Sequence, residues 1–289
     1  YMKLYPIQCG NFKLDGGAMF GVVPKSLWER TNPADSKNLI ELGTRSLLVE
    51  DGKKLILIDC GLGNKQDEKF FGHYSLYGDE SLDKNLKKFG FVREDITDVF
   101  LTHLHFDHCG GAIEWNDDKS GYRPAFKNAQ FWTNENHWQW ATEPNPREKA
   151  SFLKENILPM QESGQLQFLP TPKTGNYGFA PDLKMDVIFV DGHTEKQMLP
   201  VIQYQEKTIV FAADLIPTAG HIPQVYVMGY DTRPLLTMEE KGKFLKQCVE
   251  NEYLLFFEHD AHHELASLKM TEKGVKLDET FSFNEVFGY

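Results

Sequence analysis

The sequence predicts an α/β fold in which a β-sheet core is covered by helices on its outer faces. Five short apolar runs are long enough to be strands buried on both faces, and helical segments lie between them. Hydrophobic residues make up 41% of the 289 residues and charged residues 25%, so the chain can build a sizeable core. We find no internal repeat and no Gly/Ser linker, and we expect a single domain.

Each predicted strand ends in polar residues. Val99-Phe100-Leu101, for example, runs into Thr102-His103. The predicted strands and the polar residues after them are Leu55–Ile58 (Asp59), Val99–Leu101 (Thr102, His103), Val187–Val190 (Asp191, His193), Ile209–Ala213 (Asp214) and Leu254–Phe257 (Glu258, His259). Polar side chains that follow several strands at one sheet edge can converge on a common site.

Four segments have helical signals. Leu82, Leu86 and Phe89 follow the helical period after Ser81, and Gly90 ends that segment. The other three predicted helices are Thr133–Trp140, Pro146–Leu158 with Pro159 after its end, and Thr237–Glu250 with a capping box at its start.

Charge and composition disfavour several classes of function. The net charge of −11 disfavours a nucleic-acid-binding surface, and no apolar run approaches the roughly 18 residues of a membrane span. The four cysteines are widely spaced and contain no C-x-x-C pair, which is typical of free thiols in a reducing compartment. We therefore expect a cytoplasmic protein with no nucleic-acid or membrane partner, and we leave open whether it forms a homodimer.

The most specific motif is the run from Thr102 to Gly111, whose core is H-x-H-x-D-H. His103 and His105 point to the same side of an extended segment, and Asp107 and His108 follow where the strand gives way to a glycine-rich turn. Imidazole nitrogens together with carboxylate oxygens suit zinc best, with iron, manganese or cobalt as alternatives. This geometry can deliver imidazoles and a carboxylate to two neighbouring metal ions.

This pattern resembles the metallo-β-lactamase superfamily, whose fold is a four-layer αββα sandwich, and the resemblance covers most of the chain as one domain, 1–289. It implies that one metal is bound by His103, His105 and His193, and the other by Asp107, His108 and His259. Asp214 would bridge the two ions. Asp59 would orient the ligands through hydrogen bonds.

Within the superfamily the chain resembles the branch of N-acyl-homoserine lactonases and methyl parathion hydrolase, including the run Leu14–Gly21. This resemblance implies an N-terminal extension, about residues 1–35, that packs near the pocket. One departure is Leu215-Ile216-Pro217, which stands where the lactonases have a tyrosine after the bridging aspartate. The histidine at position 105 disfavours the superfamily's oxygen reductases, which have glutamate there.

Several other residues have two interpretations. His221 is a candidate to face the pocket and protonate the leaving group; the alternative is a loop histidine. His73 and His137 are expected at the surface or partly packed, and His262 and His263 on a turn after His259. Phe20, Trp28, Phe106 and Trp132 are candidates for an apolar substrate wall, with core packing as the alternative.

We predict a dinuclear metal-dependent hydrolase that attacks a small ester, lactone or phosphotriester through a metal-bridging hydroxide, with Asp107 also orienting the nucleophile. The expected cofactors are two divalent ions, zinc first, and the expected partner is a small-molecule substrate. One alternative is a phosphodiesterase or nuclease of the same superfamily. An alternative of another class is a non-catalytic metal-binding protein.

Overall fold

The computed structural model describes residues 1–288. Its contacts divide the chain into two compact units. The first unit comprises Tyr1–Gly10 and Thr44–Lys184, and the second comprises Asn11–Gly43 and the chain from Met185 onward. The predicted N-terminal extension contains β1 (Met2–Asp15), α1 (Gly16–Phe20) and α2 (Lys25–Trp28). Its position near a pocket and the single domain 1–289 stay predictions.

The sheet of the first unit has six strands in the order β1-β2-β3-β4-β7-β8. Their bounds are β1 (Met2–Asp15), β2 (Leu39–Asp51), β3 (Lys54–Ile58), β4 (Asp98–Phe100), β7 (Gln130–Asn134) and β8 (Leu166–Leu169). A separate antiparallel pair joins β5 (Ile113–Trp115) to β6 (Tyr122–Pro124). Strands β3, β4, β7 and β8 are parallel, so their carboxyl ends share one sheet edge.

The helices of the first unit are short. They are α3 (Glu68–Gly72), α4 (Leu82–Lys88), α5 (Phe106–Cys109), α6 (Glu135–Thr142) and α7 (Lys154–Glu162). The bounds predicted for the helix before Pro159 were wrong, because α7 begins at Lys154 and contains Pro159. The preceding residues form turns instead, since Asn145 Oδ1 accepts hydrogen bonds from the backbone N–H groups of Arg147 and Glu148.

The second unit contains β10 to β15, which lie in sequence order within one sheet. The bounds are β10 (Met185–Val190), β11 (Gln197–Tyr204), β12 (Lys207–Phe211), β13 (Leu254–Phe256), β14 (Leu265–Thr271) and β15 (Gly274–Phe281); β9 (Tyr177–Ala180) precedes them in the first unit. Helix α8 (Pro234–Glu250) starts three residues earlier than predicted, with Pro234 in its first turn, and α9 spans Phe283–Phe287.

Strand direction brings the polar strand ends of the second unit together. Strands β12 and β13 are parallel, and β10 runs in the same direction because β11 is antiparallel to both β10 and β12. The segments that carry His193, Asp214 and His259 therefore leave the sheet at the same edge. Among residues 1–288, no helix combines the length and the apolar character that a membrane crossing requires.

Candidate metal centre

Asp59 organises the candidate ligands of the first unit. It follows β3 directly and has a left-handed backbone conformation, with φ of 58°. Its buried carboxylate accepts hydrogen bonds from the Thr102 backbone N–H at 2.8 Å, the Thr102 hydroxyl at 2.7 Å and His108 Nδ1 at 2.8 Å. The register pairs Ile58 with Phe100, so parallel pairing of β3 and β4 places Asp59 beside the segment that leads into the H-x-H-x-D-H motif.

The hydrogen bonds select which ring nitrogens of His103 and His108 would bind a metal. His108 donates from Nδ1 to Asp59. The Thr102 hydroxyl donates to Asp59, so its oxygen can accept from His103 Nδ1 at 3.0 Å. Both rings are buried, and Nε2 is the nitrogen available to a metal in each.

His105 has the opposite arrangement. Its Nε2 lies 3.0 Å from Glu148 Oε1, so Nδ1 is the nitrogen that would bind a metal. Glu148 is buried and also accepts hydrogen bonds from Trp140 Nε1 at 2.6 Å and from the Asn145 amide at 2.7 Å. Glu148 could not be predicted from the sequence, because it lies 43 residues from His105 and no local pattern links the two.

Asp107 lies in the single turn of α5, and its side chain is 13% exposed. Its Oδ2 is 3.5 Å from His108 Nε2. The two glycines after this turn are required by packing, since a Cβ atom on Gly110 or Gly111 would lie 2.0 or 2.1 Å from a backbone carbonyl oxygen of residues 60–62. The glycine pair thus lets the motif pack directly against the backbone that follows β3 and Asp59.

Asp214 lies between two imidazole rings in the second unit. Its Oδ2 is 3.0 Å from His193 Nε2, and its Oδ1 is 3.1 Å from His259 Nε2. The preceding residue, Ala213, has a left-handed backbone conformation with φ of 43°, where the chain turns away from β12. One carboxylate thus presents a separate oxygen to each of two histidines, which is the arrangement a bridging ligand needs.

The other nitrogen of each of these two rings is also hydrogen-bonded. His193 Nδ1 lies 2.8 Å from Asp231 Oδ1, and Thr237 donates to the second oxygen of Asp231 at 2.8 Å. His259 Nδ1 donates to the carbonyl oxygen of Gly43 at 2.8 Å. Burial opposes protonation of His193, but Asp214 and Asp231 outweigh it and raise its pKa to about 10. The surroundings of His193 therefore favour positive charge.

The donor set fits a divalent metal. Each of the five candidate histidines has one ring nitrogen hydrogen-bonded within its own unit, which fixes the tautomer and directs the other nitrogen to a metal. The ligand atoms of His103 and His105 lie within 4.8 Å of each other, as do those of Asp214 and His259. Imidazoles combined with aspartates are ligands typical of zinc and similar divalent ions.

The remaining histidines lie elsewhere. His262 and His263 are exposed. His137, expected at the surface or partly packed, is fully buried, and its Nε2 accepts from the Leu104 backbone N–H at 2.9 Å. His221 is buried with Nδ1 at 2.7 Å from Thr218 Oγ1 and Nε2 at 2.8 Å from the Met19 carbonyl oxygen. Both nitrogens of His221 are engaged, and burial lowers its pKa to about 3, which disfavours the predicted proton transfer from His221 to the leaving group.

The candidate wall residues are largely core. Phe20 and Trp28 are at most 1% exposed and stack on each other with ring centroids 5.3 Å apart. Trp132 is 7% exposed and donates to Asp98 at 2.8 Å. Phe106, between the ligands His105 and Asp107, is 9% exposed and contacts aromatic residues of the segment around α3.

Comparison with known proteins identifies the family. Residues 39–247, nearly three quarters of the chain, match the family model described as the metallo-β-lactamase superfamily. The chain belongs to this superfamily. The predicted fold class and the predicted class of metal-dependent hydrolase are thereby confirmed.

Individual relatives are more distant. An N-acyl homoserine lactonase of Bacillus cereus is 22% identical over 275 residues, which cover 91% of this chain and 94% of the lactonase. A solved structure of a probable metal-dependent hydrolase from Staphylococcus aureus is 26% identical, with a TM-score of 0.84 and coverage of 97% of this chain and 96% of that one. AidC, a dizinc quorum-quenching lactonase solved with a product, is 22% identical with a TM-score of 0.76, over 97% and 95% of the two chains.

Proposed function

We propose that this superfamily member is a dinuclear metal hydrolase of small uncharged esters, cyclic esters (lactones) included. The observation that carries the proposal is the Asp214 carboxylate, which places one oxygen beside His193 and the other beside His259. A mononuclear site would need only one of these two contacts between a carboxylate oxygen and a histidine. The lactonase relatives at 22% identity support the substrate class.

The proposed ligand assignment follows the pattern of the superfamily. Seven residues would hold two ions: His103, His105 and His193 would hold one, Asp107, His108 and His259 would hold the other, and Asp214 would be shared between them. When bound, such ions lower the pKa of a water molecule toward neutrality and polarise the substrate oxygen that gains charge.

The residues of the chain contribute positioning. Asp59, Glu148 and Asp231 each accept a hydrogen bond from the imidazole nitrogen opposite the metal-binding one, so the rings of His108, His105 and His193 are held in fixed orientations. Asp107 is the partly exposed ligand, and we propose that it also orients the attacking water.

The test is a substrate panel on the metal-loaded protein. It compares kcat/KM for N-acyl homoserine lactones, aryl esters, aryl phosphotriesters, bis-aryl phosphodiesters and a short RNA, with Asp214→Ala as the inactive control. We expect turnover of the neutral esters and its loss in Asp214→Ala. No turnover of any ester by the zinc-loaded protein would contradict the proposal.

Phosphotriesters are the second candidate among neutral substrates. The two residues after Asp214 are Leu215 and Ile216, which are apolar and buried, so neither side chain offers a polar group to a lactone. The net charge of −11 disfavours polyanions at long range. Phosphodiester or RNA turnover at least tenfold above that of the neutral esters would instead favour a nuclease.

A further inference from the structure

A cluster of aromatic side chains packs beside the metal-ligand loop of the first unit. Tyr74, two residues after α3, lies with its ring centroid 4.8 Å from that of Phe106 and 5.1 Å from that of Phe70. Phe70 in turn lies 5.3 Å from Phe106. Because Phe106 stands between the ligands His105 and Asp107, these contacts fix the Tyr74 ring next to the ligand loop.

The Tyr74 hydroxyl is a polar group that this packing leaves available. Its side chain is only partly buried, and among residues 1–288 the hydroxyl has no hydrogen-bond partner. Burial, followed by the negative charge of Asp107, raises the pKa of Tyr74, so the phenol remains protonated at neutral pH. The result is a neutral hydrogen-bond donor within electrostatic reach of a metal ligand.

Ester cleavage needs a donor of this kind. The alcohol oxygen that leaves gains negative charge as its bond to carbon or phosphorus breaks, and a hydrogen bond to it lowers the barrier. His221, which was predicted to protonate the leaving group, has both ring nitrogens engaged in hydrogen bonds. The two residues directly after Asp214, Leu215 and Ile216, are apolar and buried.

We propose that the Tyr74 hydroxyl donates a hydrogen bond to the leaving-group oxygen of the ester. The inference rests on the proposed function and adds a substrate-contacting residue to it. The contacts of the Tyr74 ring with Phe70 and Phe106 hold the side chain in position, and the hydroxyl contacts the substrate. Tyr74→Phe removes the hydroxyl and keeps the ring contacts.

A binding experiment isolates the hydroxyl. The product N-hexanoyl-L-homoserine keeps the former leaving oxygen as a hydroxyl, whereas N-hexanoyl-L-2-aminobutyrate lacks only that group. On the zinc-loaded protein, we expect Tyr74→Phe to weaken product binding by about three- to tenfold in calorimetry and to leave binding of the analogue unchanged. Tyr122→Phe is the matched control, since Tyr122 lies on β6 against Trp115.

A kinetic experiment tests the same contact without lactones. In a series of aryl esters, Tyr74→Phe should lower kcat/KM by roughly 10- to 100-fold for poor leaving groups. For 4-nitrophenolate, which leaves readily without a hydrogen bond, the loss should be less than about threefold. If Tyr74 had only a structural role, kcat/KM would fall by the same factor for every ester. Zinc content and Tm should match those of the wild type.

The outcomes separate the two proposals. If the wild type hydrolyses no ester, the proposed function fails and the role of Tyr74 fails with it. If the wild type is active but Tyr74→Phe leaves both the leaving-group dependence and the product-to-analogue binding ratio unchanged, the role of Tyr74 alone is overturned. Tyr74→Leu should lower activity further, because it also removes the ring contacts.

Discussion

At the scale of single residues, Asp59 orients candidate ligands of the first unit through hydrogen bonds, although it is not proposed to bind metal. Replacing it with alanine leaves three buried donors, two on Thr102 and one on His108, without their acceptor. We expect Asp59→Ala to lower metal affinity or activity by roughly 10- to 100-fold while retaining measurable metal. Zinc titration against a competing chelator measures this, with the exposed Asp117→Ala as control. A variant equal to wild type would contradict the orienting role.

Two substitutions of Glu148 test whether its hydrogen bond with His105 also supports metal binding. Glu148→Ala removes the acceptor of His105 Nε2–H and frees the ring to rotate, so zinc affinity should fall by roughly 10- to 100-fold. Glu148→Gln keeps an acceptor oxygen at the same position and should lose less. Equal losses in the two variants would mean that the charge of Glu148, and not its hydrogen bond, matters to His105.

The difference between Asp59 and Glu148 shows what could be predicted from the sequence. Asp59 directly follows a recognisable strand, and parallel pairing of β3 with β4 brings strand ends together, so its neighbourhood could be inferred locally. Glu148 and Asp231 lie in irregular segments, and their contacts depend on tertiary packing that leaves no periodic signal. For the same reason the strands that precede the ligands were predicted well, whereas the helix containing Pro159 was misplaced.

At the scale of secondary structure elements, α5 depends on the glycine pair that follows it. A Cβ atom on Gly111 would lie 2.1 Å from the carbonyl oxygen of Cys60, so the turn must shift away from that backbone. We expect Gly111→Ala to destabilise the protein by at least about 2 kcal/mol in urea unfolding. Gly72→Ala in α3 is the control, because no atom lies within 4 Å of its added Cβ, and its effect should stay within about 1 kcal/mol. Equal stabilities would contradict the close packing.

Helix α8 stabilises the segment after Asp214 through a buried lysine. Lys241 donates hydrogen bonds to the carbonyl oxygens of His221, Pro223 and Tyr226, and burial lowers its pKa to about 7. Between that value and the ordinary lysine pKa of 10.5, the unfolded chain holds a proton that the folded chain has lost. The stability of wild type should therefore rise with pH in this range relative to Lys241→Met, by up to roughly 1.4 kcal/mol per pH unit.

Urea unfolding of both proteins at pH 7.5 and pH 9.5 measures this difference. The comparison with Lys241→Met cancels the titration of all other groups that the two proteins share. A stability difference that is the same at both pH values would mean that the ammonium stays protonated against its three carbonyl acceptors.

At the scale of the whole molecule, the proposed centre draws its ligands from segments between His103 and His259 that are far apart in the sequence. The unfolded chain cannot hold these side chains together, so metal binds the folded state preferentially and its binding energy adds to stability. At a free metal concentration 1,000 times Kd, each site contributes about 4 kcal/mol. A chelator should therefore lower Tm strongly in wild type.

Metal stoichiometry decides between one ion and two. Wild type reconstituted with zinc should approach two equivalents per chain, because Asp214 can serve an ion with each of its oxygens. Asp214→Ala should lose the pairing and with it most of the Tm difference between chelated and zinc-loaded protein. The exposed Asp117→Ala should behave as wild type. Elemental analysis and thermal unfolding on the same samples provide the measurement; one equivalent or less in reconstituted wild type would contradict a dinuclear centre and leave Asp214 as the ligand of a single ion.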